Sequence, residues 1–377
     1  MKVDVLIKNG LVIDPFRQLQ KVNDIAVKDG LIVSAEQAEA VEVIDAAGCI
    51  VSPGLIDFHA HFADAVTALG ISPAGSYYPT GVTAAVDAGS TGVDNYLGFR
   101  ERTLAAPFRT KALLNICSAG LTTTSYHENI DPKNFKRSKI ISYFKKYADQ
   151  LLGLKIRQST EIAEGLGLEP MREMLKIAKE IGCPIFVHTT NPPASPEEIA
   201  ALLRPGDVYI HVFQGKGLTV IRNGQVIPAL LESQRRGVLF DAANGVNHFS
   251  FEVAYRCLEQ GFIPDIISTD LTVKSLYRPG KVFSLPYIMS KYLALGIPLP
   301  DIIERSCTIP AKLMGLGQEL GSLAEGTPAD ITISRLIDKK TSFCDFTGTT
   351  LEGKQLIKTE LTMADGNIMF RQIDFQA

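Results

Sequence analysis

From Pro53 onward, the chain alternates short apolar runs with intervals long enough to form helices. The interval 169–181 places Met171, Met174, Leu175 and Ala178 on one helical face. Eight repeats of a strand and a helix predict an α/β fold, a closed (β/α)8 TIM-type barrel rather than an open doubly wound sheet. The predicted strands are 55–59, 83–87, 112–116, 151–155, 184–188, 207–211, 238–241 and 265–270.

Both ends of the chain contain strands without helices. Residues 3–51 form strand-like runs with hairpin signals at Asn9-Gly10 and Asp29-Gly30, and such runs return at 330–334, 355–359, 361–364 and 367–370. Because neither end alone offers much core, we expect one small β-sandwich domain built from residues 1–52 and 320–377. The barrel domain is then 53–319, and its longest insertion, 121–150, is placed to line or cover a site.

The charge balance argues against several classes of partner. The formal net charge of −3 gives no basic surface for nucleic acid or an anionic membrane. No apolar run reaches transmembrane length, and the first residues lack the features of a secretory signal.

The six cysteines are scattered without a Cys-x-x-Cys pair, which is typical of a cytoplasmic protein. We expect a small molecule as the partner, and homo-oligomer formation stays open.

Polar side chains gather at the carboxyl ends of the predicted barrel strands, where such barrels carry their chemistry. His59 and His61 end the first strand and share one face, because side chains alternate along a strand. The other strand ends supply Lys155, His188, His211 and Asp270. Each residue alone has an ordinary structural explanation, such as a core histidine or a helix-capping aspartate. Six of them at the same end of five strands predict a divalent-metal site.

These positions resemble the amidohydrolase superfamily of metal-dependent hydrolases. The resemblance rests on Pro53-Gly54-Leu55-Ile56-Asp57-x-His59-x-His61, on the four later strand-end residues and on the segment 321–331. It implies two divalent ions, zinc in the first instance, with manganese, iron or cobalt also compatible. His59, His61 and Asp270 would hold the first ion and His188 and His211 the second, with a CO2-derived carbamate on Lys155 bridging both.

The resemblance also implies hydrolysis by a metal-bound hydroxide, with Asp270 as general base. The segments 153–159 and 241–251 are similar to a bacterial deacetylase- and dihydroorotase-like subgroup. We therefore expect cleavage of an acetyl ester or N-acyl amide of a small carboxylate-bearing molecule. A cyclic amidase of the dihydroorotase or dihydropyrimidinase kind is the alternative, although Phe62 and Ala63 stand where dihydroorotases usually carry an arginine.

Two further interpretations are weaker. A deaminase of the adenine type would carry His-x-x-Glu, whereas Asn191 follows His188 and Gln214 follows His211 at that spacing. A non-catalytic scaffold on the same fold would lack ligands that this chain retains. The candidate substrate contacts are Arg157, His127, Asn244 and His248.

Overall fold

The structure is a computed structural model, and it describes residues 1–122 and 128–375 of the chain. Seven strands precede the barrel: β1 (Lys2–Lys8), β2 (Leu11–Asp14), β3 (Leu19–Val22), β4 (Ile25–Lys28), β5 (Leu31–Val33), β6 (Glu39–Asp45) and β7 (Ile50–Pro53). Asp29-Gly30 forms the predicted hairpin between β4 and β5. Asn9-Gly10 instead carries the chain from one sheet to another, and Gly10 is required because Val51 packs against its backbone.

Seven parallel strands form one sheet and follow one another in chain order, as a TIM-type barrel requires. They are β8 (Leu55–Ala60), β9 (Val82–Asp87), β10 (Arg109–Asn115), β11 (Leu151–Arg157), β12 (Ile185–His188), β13 (Val208–Ile210) and β16 (Leu239–Asp241). A small hairpin of β14 (Ile221–Arg222) and β15 (Gln225–Val226) lies between β13 and β16. Nearly all residues of these seven strands are buried, which explains their continuous apolar character.

The predicted eighth strand is irregular. Ile266 forms a parallel bridge with Asp241 of β16, and Leu271 forms one with Ala60 of β8, so the segment joins both ends of the sheet. Asp270 has φ +53°, outside the extended region, and this prevents a regular strand at the point where its side chain is presented.

Helices pack around the barrel sheet. They are α1 (Pro73–Tyr77), α2 (Tyr96–Phe99), α3 (Arg137–Lys146), α4 (Thr160–Ala163), α5 (Glu169–Ile181), α6 (Pro196–Leu202), α7 (Pro228–Arg235), α8 (Phe251–Glu259), α9 (Leu285–Ala294), α10 (Leu299–Ser306) and α11 (Thr308–Leu313). The predicted helix 169–181 coincides with α5, which buries Met171, Met174 and Ala178 and ends at Gly182 with φ +80°. Within the described ranges, no helix is both long and apolar enough to cross a bilayer.

The chain ends build two further sheets. One has the order β5-β4-β1-β6, and the other, β19-β18-β17-β7-β2-β3, includes the last strands β17 (Ile331–Cys344), β18 (Thr350–Ala364) and β19 (Asn367–Arg371). Buried side chains of both sheets, such as Ile7, Val27, Ile331 and Leu361, belong to one apolar cluster. The division into two domains stays a prediction.

The β17–β18 hairpin is much longer than the sequence suggests. Strand runs were expected at 330–334, 355–359 and 361–364, but β17 continues to Cys344 and β18 is unbroken from Thr350. The sequence does not predict the longer strand, because residues 338–340 are polar and all exposed and so lack the apolar alternation that marks a strand. The hairpin tip reaches the barrel, where Phe346 N donates to Phe249 O at 3.1 Å.

Candidate metal centre

A cavity of about 280 Å³ opens at the carboxyl ends of the barrel strands. All six predicted metal ligands line it: His59, His61, Lys155, His188, His211 and Asp270. The structure therefore brings together every residue of the predicted set. The ligand-bearing side chains are buried except for small exposed fractions, with Asp270 the most accessible at 11%.

One group of ligand atoms comes from His59, His61 and Asp270. The Nε2 atoms of His59 and His61 lie 3.6 and 3.2 Å from Oδ1 of Asp270. The other ring nitrogens are engaged behind the cavity: His59 Nδ1 lies 3.1 Å from Asp241 Oδ2, and His61 Nδ1 lies 2.8 Å from Ser90 Oγ. Both imidazoles therefore present Nε2 to the same carboxylate, and these three side chains could hold one metal ion.

A second group comes from His188, His211 and His248. His188 Nδ1 and His211 Nε2 lie 2.9 Å apart, and His211 Nδ1 donates to the carbonyl oxygen of Ala243 at 2.7 Å. That donation fixes the tautomer of His211 and leaves Nε2 as the lone-pair nitrogen. His211 has φ +63°, a conformation that is uncommon for residues other than glycine, and its side chain lines the cavity.

Burial sets the charge state of these imidazoles. Loss of solvation holds the pKa of His59, His188 and His211 well below the ordinary value, and neighbouring positive groups lower it further. Neutral imidazole is the form that binds a cation. The imidazoles of His59, His188 and His211 are therefore neutral, in the form that binds divalent ions, at neutral pH.

Lys155 lies on β11 and is 3% exposed. Desolvation lowers the pKa of its ammonium group to about 8, although Asp270 and Asp241 act in the opposite direction. Gly89 makes room for this side chain, since a Cβ at position 89 would lie 2.7 Å from Lys155 Cβ and Cγ.

Of the four candidate substrate contacts, two line the cavity, one does not, and one lies outside the described residues. Arg157 and His248 line the cavity, and Arg157 Nη1 pairs with Oε2 of the buried Glu128 at 2.9 Å. Asn244 does not line it, because its amide is fully used in the interior: Nδ2 donates to Ser268 O, and Oδ1 accepts from Lys291 Nζ at 3.0 Å. His127 lies outside the described residues.

Sequence reasoning missed the residues that support the ligands. Asp241 and Asp87 both end barrel strands, so the rule that found the histidines also applies to them. Asp87 Oδ2 accepts from Ser90 Oγ at 2.7 Å, and Ser90 in turn contacts His61. No motif in the sequence marks Glu128 as the partner of Arg157.

Comparison with known proteins agrees with this geometry. The sequence model of the amidohydrolase family matches residues 50–368. A deacetylase of Agrobacterium fabrum is 34% identical over 335 residues, covering 88% of this chain and 82% of the relative. A crystal structure of a dihydroorotase has a TM-score of 0.88 at 30% identity and covers 98% of both chains. A crystal structure of an adenine deaminase has a TM-score of 0.87 at 28% identity, covering 98% of this chain and 100% of that one.

These similarities extend over nearly the whole chain, so they include the barrel, the cavity and the terminal sheets. The three names differ in activity, and the match to the amidohydrolase family model confirms the resemblance inferred from the strand-end residues. The chain therefore belongs to the amidohydrolase family, as a hydrolytic enzyme of the deacetylase- and dihydroorotase-like group.

Proposed function

We propose that the protein is a binuclear metal-dependent hydrolase that cleaves an acetyl ester or N-acyl amide of a small carboxylate-bearing molecule. The observation that carries the proposal is the pair of ligand groups, each with three ligand atoms within 4.8 Å of one another, in one cavity. Neutral imidazoles and a carboxylate are ligands that suit zinc, and also manganese, iron or cobalt. The donor set therefore fits two divalent ions.

In this proposal His59, His61 and Asp270 hold the first ion, and His188 and His211 belong to the second. Lys155, as a carbamate formed with CO2, would contribute to holding both ions. A buried ammonium beside two cations would be repelled by them, whereas a carbamate supplies the negative charge that neutral imidazoles lack. The burial of Lys155 in the same cavity supports this assignment.

The bound ions would lower the pKa of a water and polarise the scissile carbonyl. Asp270 is the proposed general base: its carboxylate accepts the proton of the attacking water and delivers it to the departing oxygen or nitrogen. Asp270 is suited to this role because it faces the cavity between His61 on one oxygen and His248, at 3.7 Å, on the other. No serine or cysteine nucleophile is needed.

Recognition of a carboxylate is the proposed role of Arg157, with Lys274 a second cation in the cavity lining. An arginine pairs with a carboxylate through two parallel hydrogen bonds. Glu128 contacts Nη1 of Arg157 and so orients the guanidinium plane. The deacetylase name of the Agrobacterium relative supports an acetyl group as the part that is removed.

A cyclic amidase is the second candidate, favoured by the similarity to the dihydroorotase structure. The positions after His61 argue against its dihydroorotase form, not against a dihydropyrimidinase-like enzyme. Phe62 and Ala63 are buried apolar residues, so neither supplies the arginine that usually binds the carboxylate of dihydroorotate at this position.

The proposal is tested by metal content and a hydrolysis screen on the same preparation. Protein purified with zinc and bicarbonate should hold two ions per chain and hydrolyse acetyl esters or N-acetyl amino acids, with Asp270→Asn inactive but folded. Dihydroorotate, dihydrouracil, hydantoin and adenine belong in the screen. Absence of bound metal would refute the proposal, and selectivity for a cyclic amide would replace it with the second candidate.

Two organisational proposals accompany this function. We propose that the two terminal sheets form a β-sandwich domain of residues 1–52 and 320–377 beside the barrel, supported by their shared apolar cluster. We also propose a cytoplasmic location, supported by six free cysteines.

A further inference from the structure

His248 was expected only as a substrate contact, yet its ring lies among the imidazoles of the second ligand group. The ring centroid is 4.2 Å from that of His211, with the planes 30° apart, and 5.1 Å from that of His188. One ligand atom from each of these three histidines lies within 4.8 Å of the others. Three donors this close together could hold one cation.

A contact at Nδ1 fixes the orientation of the His248 ring. Its Nδ1 lies 2.8 Å from Oγ1 of Thr190, a buried residue that follows His188 by two positions. With Nδ1 engaged, Nε2 is the nitrogen that faces the cavity. Its distance of 3.7 Å from Asp270 Oδ2 is too long for a hydrogen bond, so the aspartate does not satisfy it.

The loop that carries His248 is built for close approach. Gly245 has φ +53°, and a Cβ there would lie 2.5 Å from Asp270 Oδ2 and 2.6 Å from His248 Cδ2. Only glycine lets the backbone, the imidazole and the carboxylate meet at this point. A histidine that merely touched a substrate at the cavity mouth would not need such crowding against the ligands.

We propose that His248 is a third imidazole ligand of the second metal site, together with His188 and His211. The inference rests on the proposed two-metal function and deepens it. Three imidazoles form a complete protein ligand set for zinc, with a fourth position left open. The second ion is then held by histidines alone when Lys155 carries no carbamate, and the carbamate strengthens the site rather than creating it.

The experiment measures zinc per chain and zinc affinity, by mass spectrometry and chelator competition, with and without bicarbonate. The proteins are wild type, Lys155→Ala, His248→Ala and the double variant. Wild type and Lys155→Ala should each retain two ions, and His248→Ala should retain the second only with bicarbonate. The double variant should retain one ion.

Two more variants sharpen the result. Thr190→Val keeps the imidazole but removes the hydrogen-bond partner of Nδ1. It should weaken the affinity for the second ion by about tenfold. Asn247→Ala removes the exposed neighbour of His248 in the cavity lining and should leave both affinities unchanged. Thermal unfolding of each apoprotein separates lost ligation from lost folding.

One result would contradict the role of His248, and a different result would contradict the two-metal function itself. If His248→Ala binds both ions with wild-type affinity, and the double variant matches Lys155→Ala, the inference is overturned while the two-metal function stands. If wild type itself binds fewer than two ions, the proposed function has failed first.

Discussion

Nδ1 of His59 and Oδ2 of Asp241 lie 3.1 Å apart behind the cavity, and both side chains are buried. The carboxylate also accepts from Ser268 Oγ at 2.6 Å and from Ala243 N at 3.1 Å, so its own position is fixed. Asp241 therefore holds the His59 ring with Nε2 toward Asp270. A supporting carboxylate of this kind sets the tautomer and the basicity of a metal-binding imidazole.

Asp241→Asn should weaken binding of the first ion by about 10–100-fold, because the amide no longer offers the carboxylate that supports the His59 ring. The fold should persist, since the side chain keeps its shape. Zinc titration against a chelator measures the loss, and Asp338→Asn on the exposed part of β17 is the matched control. Unchanged affinity in Asp241→Asn would mean that the contact is only structural.

Gly89 tests the space required by Lys155. Gly89 has φ +84°, and a Cβ there would meet Lys155, so Gly89→Ala combines backbone strain with displacement of the lysine stem. We expect a loss of roughly 1–3 kcal/mol in unfolding free energy together with reduced metal content.

Gly98→Ala is the control for Gly89→Ala. Gly98 lies in helix α2, and a Cβ there would meet no atom within 4 Å. This change should be neutral or slightly stabilising in denaturant melts. Normal metal content in Gly89→Ala would contradict the steric argument.

The role of Arg157 in binding a carboxylate is tested with substrate pairs. Replacing Arg157 alone would leave Glu128 buried without its partner, so the informative variant is Arg157→Gln combined with Glu128→Gln. KM for a carboxylate-bearing ester should rise about 10–100-fold relative to the uncharged analogue. Glu128→Gln alone is the control, and equal losses for both substrates would exclude carboxylate recognition by Arg157.

The outcome of sequence reasoning depended on the kind of structure involved. Apolar strand patterns located the barrel strands, and the rule that chemistry lies at strand ends led to His59, His188 and His211. Loop side chains had no comparable rule: Asn244 and His248 stand four residues apart, yet one lies in the interior and the other in the cavity. Their difference arises from Lys291, which comes from a distant helix and binds Asn244.

Lys291 is a buried lysine outside the metal centre. Its ammonium donates to Asn244 Oδ1 and lies 4.1 Å from the ring centroid of Phe249, with Asp345 and Cys344 the titratable groups that act on it. Loss of solvation outweighs these partners and lowers the pKa of Lys291 from 10.5 to about 7. Folding therefore favours the neutral amine.

The sign of the resulting pH dependence follows from proton counting. Between pH 7 and 10.5 the unfolded chain binds a proton at Lys291 that the folded chain lacks. The unfolding free energy should therefore rise with pH across this window, by at most about 1.4 kcal/mol per pH unit from this group. Below pH 7 both states are protonated, and the full penalty of burying the charge remains.

Lys291→Met should remove this contribution, so the difference in unfolding free energy between wild type and variant should change across pH 7–10. Denaturant melts at closely spaced pH values measure it. Loss of the hydrogen bond to Asn244 changes the unfolding free energy by the same amount at every pH, because Asn244 does not titrate. Lys312→Met is the matched control on an exposed helical lysine, whose ammonium meets water in both states. If the difference in unfolding free energy between wild type and Lys291→Met does not change with pH, burial does not lower the pKa of Lys291.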